Sequence, residues 1–147
     1  MQSLWYANLD IAIQSALMLN SRRFYKELGN LFYAIAAADK NISPKEKKTL
    51  DDEVQFAWKH YDNTTDRFGS DRAFLIEFEF ETMEDNSELA ETAYQAFESF
   101  YREKKDEIDE HTRTRIFNSA RHIAESVRKI NHEELSYLVR LKQLLEL

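Results

Sequence analysis

The chain has 147 residues, enough for one domain that buries roughly two-thirds of the surface its unfolded form would expose. Twenty basic residues against 27 acidic ones give a net charge of −7, a field that repels a phosphate backbone and offers no counterion release, so a nucleic-acid partner is not expected. Without cysteine there is no disulfide framework, thiolate metal site or cysteine nucleophile, and no apolar run approaches the roughly 20 residues of a membrane span.

The start, Met1-Gln2-Ser3-Leu4-Trp5, has no basic segment ahead of an apolar core, so the expectation is a cytoplasmic protein without membrane insertion. Two glycines and one proline leave few loop formers, while Ala, Leu, Glu, Lys and Arg abound. That composition predicts an all-α fold with short connections. Trp5, Leu9, Ala12, Ile13, Ala16 and Leu17 recur at helical spacing and predict a first amphipathic helix from about Ser3 to Leu19, closed by a turn at Asn20-Ser21. From Arg22 to Ala38 the apolar side chains Phe24, Leu28, Leu31, Phe32, Ile35 and Ala36 mark a second, central helix. Gly29 within it costs about 1 kcal/mol against alanine, which points either to close packing or to a slight bend.

The next start is the clearest local signal in the chain. Ser43 can accept from a free amide of the first turn, Pro44 fits the first helical position, and Glu46 can bond back, a capping box with proline. Leu50, Val54, Ala57, Trp58 and Tyr61 carry that helix to about Tyr61, where Asp62-Asn63-Thr64-Thr65 ends it. Residues 74–81 alternate Phe and Ile with glutamate like a strand, yet Phe74/Phe78 and Ile76/Phe80 also pair at i,i+4. A lone strand would leave its backbone groups unsatisfied, so a helix is predicted, with Ser70 as its cap. A fifth helix follows from Ser87 to about Glu107 with Leu89, Ala93, Ala96, Phe97 and Phe100 inward, and a sixth from Thr112 to Lys129. A seventh starts at the Asn131 cap, with Glu134 at the third position and Leu135, Leu138, Val139, Leu141, Leu144 and Leu145 closing the core.

A repeat runs through these elements. The pattern around Leu28, Ile35, Ala36, Ile42, Glu46 and Leu50 returns 88 residues later at Ile116, Ile123, Ala124, Ile130, Glu134 and Leu138. The expected fold is therefore a single all-α bundle of about seven helices over residues 1–147 with an internal two-fold pseudo-repeat.

The two copies, each an alanine-bearing helix, a turn with an isoleucine and a helix start containing glutamate, resemble the tellurite-resistance TerB family. That domain also occurs at the N-terminus of certain membrane-anchored DnaJ-type proteins, and its repeats carry the form A-D-G-x-I-x-x-x-E. The first copy, Ala38-Asp39-Lys40-Asn41-Ile42-Ser43-Pro44-Lys45-Glu46, keeps the acid and the glutamate and has Lys40 in place of glycine. The second, Ser126-Val127-Arg128-Lys129-Ile130-Asn131-His132-Glu133-Glu134, has Val127 for the acid and Arg128 for the glycine. The resemblance implies a helical module of stress-response complexes, a protein partner, and divalent-cation binding by the turn acids, here Asp39 and Glu46. No other cofactor is implied.

Against the metal stands the plain role of Asp39 in ending one helix and of Glu46 in capping the next, beside Lys40, Lys45, Lys47 and Lys48, which oppose a cation. Arg128 suggests a further substitution, an ion pair with Asp39 or Glu46 in place of the ion. A second acidic group, Glu77, Glu81, Glu84 and Glu88, lies mostly on one helical side. The histidines His60, His111, His122 and His132 lack the Glu-x-x-His, His-Glu-x-x-His or nucleophile-elbow spacings of an enzyme. His122 is expected near the core and His132 exposed. Adjacent aromatic pairs such as Phe24-Tyr25, Phe32-Tyr33 and Phe100-Tyr101 exceed what one helix face buries, so part of them is expected at the core margin or on a partner surface. The leading expectation is a non-catalytic interaction module. The alternatives are a metal-dependent enzyme or cation binder built on the acids, and a purely structural scaffold.

Overall fold

The computed structural model describes residues 22–59, 61, 72–127 and 129–147. The expected helix from Ser3 to Leu19, the turns at Asn20-Ser21 and Asp62-Thr65, the Ser70 cap, His60 and Arg128 lie outside the described residues. Within them the chain is helical throughout, with six α-helices and no strand.

Helix α1 (residues 22–36) is the axis of the molecule. Every residue from Leu28 to Ala37 is buried, and a helix buried all round must have neighbours on all sides. This is why Phe32 and Tyr33 are both inside; Phe24-Tyr25, and Phe100 and Tyr101 on another helix, are buried as well, against the expectation that one face could not hold both. Phe24 stacks on Tyr61 with centroids 5.7 Å apart and touches Trp58 and Phe100.

Helix α2 (Pro44–Glu53) begins as its sequence demands: Glu46 N–H donates to Ser43 Oγ at 3.1 Å and Ser43 N–H to Glu46 Oε1 at 2.9 Å. It does not run on as a regular α-helix. A π-turn spans Val54–Trp58, closed by Lys59 N–H to the Val54 carbonyl at 2.8 Å. The wider turn leaves the Ala57 carbonyl to accept from Arg115, and sets Trp58 Nε1 3.0 Å from Ser119 Oγ.

Residues 74–81 are helical, inside α3 (Phe74–Asp85), with Ile76 and Phe80 buried four residues apart. That helix ends in a Schellman turn: Glu88 N–H donates to the Met83 carbonyl and Ser87 N–H to Glu84, with Ser87 at φ 50°. The turn carries Glu88 off the helix and delays α4 (Ala90–Lys104) past the expected Ser87 start, leaving Leu89 exposed instead of inward. A short 3-10 turn (Lys105–Glu107) leads to α5 (Glu110–Glu125), which starts before Thr112 because Asp109 Oδ1 accepts the Thr112 N–H at 2.8 Å.

Helix α6 (His132–Leu144) is capped by Asn131 as expected. Its inward stripe is Glu134, Leu138 and Leu141, followed by Leu145, so Leu135 and Val139, expected in the core, fall on the outer side and are exposed. An acid thus holds a place in a core stripe. Helix α5 packs against both α2 and α6, which brings the starts of those two helices together.

Candidate functional site

The site is built from two turns. The first follows α1: Lys40 takes φ 64°, and Asn41 N–H donates to Asp39 Oδ1 at 3.0 Å, so the Asp39 carboxylate is fixed at the surface while Glu46 points inward. The second precedes α6, where Asn131 Oδ1 accepts the Glu134 N–H at 2.8 Å. Across the junction Asn131 Nδ2 donates to Asp39 Oδ2 at 2.8 Å and also to Glu134 Oε1.

Glu46 and Glu134 are only 2% and 1% exposed, and Oε2 of each has no hydrogen-bond partner among the described residues. Burial penalises their charged forms. Glu134 is pushed up to about 7, first by burial and then by the carboxylates of Glu46, Asp39 and Glu133. Glu46 is raised by burial too, against the lowering effect of the Ser43 hydrogen bonds, with Asp39 adding to the rise. The two residues expected to hold a metal, Asp39 and Glu46, thus lie within electrostatic reach of one another and of Glu134, with Asn131 bonded to Asp39 and Glu134. Two of the neighbouring lysines turn elsewhere: Lys47 pairs with Glu84 at 2.8 Å and Lys48 approaches Asp52 at 3.9 Å. The expected ion pair of Arg128 with Asp39 or Glu46 lies outside the described residues.

A second group of acids lines an open cleft of about 450 Å³ between α2 and α3, floored by Leu50 and Phe80. Glu77 there is pushed up to about 7 by burial, by a hydrogen bond with Asp51 and by that residue's charge. Glu81 and Glu84 share the cleft; Glu88 does not, since the Schellman turn removes it. The π-turn borders a further hollow, lined by Glu53, Arg115 and His122 among others. His122 is exposed and bonded to Glu53, not packed near the core as expected, while His132 is exposed as expected.

Sequence reasoning named Asp39 and Glu46 and missed the part of Asn131 and Asp51. The cap rule identifies Asn131 only for its oxygen; nothing local signals that its nitrogen reaches a residue 92 positions away. No protein-family model, curated protein or solved structure matches the chain. Among the described residues no helix is long and apolar enough to cross a membrane.

Proposed function

We propose that this chain is a TerB-like helical interaction module, without catalysis of its own, that binds a protein partner in a bacterial stress response to tellurite or metal. The observation that carries this reading is the meeting of the two turns. Glu46 and Glu134 stand at the same position after their caps, both are buried, and Glu46 is close enough to raise the proton affinity of Glu134. Ile42 and Ile130, equivalent in the two copies, are both half-buried against the core. Two copies of one helix–turn–helix unit, related by an approximate two-fold within a seven-helix bundle, account for these equivalences.

The interaction surface is read from what stays outside. Phe56 is 85% and Phe78 66% exposed, and Phe74 lies four residues from Phe78 on the same helix, beside the carboxylates of the α2–α3 cleft. Large aromatics left in water beside a charged row suit a protein partner better than solvent. Affinity capture from the native organism under tellurite stress tests this with the wild type and with Phe78→Ser. A protein retained by the wild type and lost from an equally stable Phe78→Ser supports the reading; equal retention by both, or no specific protein at all, defeats it.

The enzyme reading draws on one specific observation, the Asp51–Glu77 pair, because a carboxyl near pH 7 suits general acid–base work. It requires a substrate whose turnover Glu77→Gln abolishes.

A further inference from the structure

Three carboxylates, Asp39, Glu46 and Glu134, gather at the junction of the two turns, and like charges so placed repel unless a cation, a proton or a hydrogen-bond donor stands among them. Calcium and magnesium would need oxygen ligands facing inward. The donor set does not suit them. The Glu134 N–H engages Asn131 Oδ1 at 2.8 Å, which fixes the orientation of the amide, so the atom facing the acids is a nitrogen that can only donate. Among the described residues no three Asp, Glu or His side chains are disposed to hold a metal.

We propose that the Asn131 side-chain amide is the clasp of this junction, donating one N–H to Asp39 and the other to Glu134, and so joining two turns that a divalent cation would otherwise have to bridge. The bond to Asp39 ties the end of α1 to the start of α6 across 92 residues of chain, at 2.8 Å. Oε2 of Glu46 and of Glu134 are buried and without hydrogen-bond partners among the described residues, so the clasp reaches only one oxygen of Glu134. The inference rests on this geometry alone and stands or falls independently of the partner sought above.

One substitution separates the clasp from an ion site. Asn and Asp cap a helix about equally well, so Asn131→Asp keeps an acceptor for the Glu134 N–H while exchanging the donor for a fourth carboxylate. The junction then has oxygens only. Calorimetric titration with calcium and magnesium, together with thermal unfolding in chelator and in each cation, compares the wild type with Asn131→Asp and Asn131→Ser. Serine also caps but has no amide. In the wild type neither chelator nor cation moves the unfolding midpoint. Asn131→Asp unfolds at lower temperature in chelator, and calcium restores it with one saturable site at least about tenfold tighter than any in the wild type. Asn131→Ser is less stable than the wild type and indifferent to cations. A wild type that binds calcium as tightly as Asn131→Asp, or a folded Asn131→Asp that ignores every cation, overturns the proposal. Should Asn131→Asp not fold even in calcium, a double-mutant cycle of Asp39→Asn with Asn131→Ser decides: strong coupling supports the clasp, and additive losses overturn it.

Discussion

A methyl group on Gly29 would stand 2.6 Å from the carbonyl oxygen of Ile76 and 2.8 Å from Glu79 Cβ. Helices α1 and α3 thus cross backbone to backbone at this point, and of the two explanations open for a glycine in the central helix, close packing is the one that holds. Gly29→Ala adds a better helix former, worth about 1 kcal/mol in an open helix. The clash is with a main-chain oxygen, which no side-chain rotation relieves, so the helices must part. A net loss of about 1–3 kcal/mol is expected in denaturant unfolding; a gain would show that the helices slide apart freely.

Lys40 at φ 64° occupies the position where the A-D-G-x-I-x-x-x-E form has glycine. The left-handed region costs a residue with a Cβ about 1 kcal/mol or more, and glycine nothing, although glycine loses more freedom on folding. Lys40→Gly is expected to raise stability by about 0.5–1 kcal/mol and Lys40→Ala to give no such gain. Thermal unfolding of the two variants side by side is the check.

Glu134 titrates near 7 in the fold against an ordinary 4.5, chiefly because it is buried. A carboxyl whose folded pKa is raised favours folding while it is protonated; that contribution is complete below about 4.5 and is lost as the pH climbs through about 7. Glu134→Gln cannot lose a proton. Its stability relative to the wild type should therefore grow between about pH 4.5 and pH 7, where the carboxyl is ionised in the unfolded chain but still protonated in the fold, and level off above that. Parallel pH profiles for the two proteins would contradict the assignment.

Trp58 is fully buried, and its indole N–H has Ser119 Oγ as acceptor at 3.0 Å. Ser119→Ala leaves that donor inside with nothing to replace the hydroxyl. A cost of about 1–3 kcal/mol is expected. Trp58→Phe in the Ser119→Ala background removes the orphaned group, so the double variant should lose less than the two single losses added together.

What could be read in the sequence is what neighbours along the chain decide. The Ser43-Pro44-Glu46 start and the Asn131 cap follow from groups a few positions apart, while the helical state of residues 74–81 follows from the want of a partner for a lone strand. The repeated pattern aligns Glu46 with Glu134, yet the candidate ligands named from the sequence are Asp39 and Glu46 alone, and Glu134 is there only the third position of a helix start. Contacts across the fold were not legible. The Asn131 amide reaching Asp39, the Asp51 charge lifting Glu77, and the several neighbours of α1 that bury both members of Phe32-Tyr33 depend on how helices pack, which no local rule carries. The inward faces of α6 were misassigned for the same reason: Glu134 took a core position that an apolar stripe through Leu135 and Val139 would have filled.

The π-turn at Val54–Trp58 has a consequence for length. A turn closed from Val54 to Lys59 carries one residue more than an α-turn over the same path, and the residue in its middle, Phe56, contributes almost nothing to the core. Inside a regular helix, deleting a residue swings everything beyond it by about 100° and empties the buried face. Here the deletion of Phe56 would draw the turn back to ordinary pitch and leave Leu50, Val54 and Trp58 facing the same way. This helix has a residue to spare, so among the described residues it is a place where a buried helix can change its length without changing its fold.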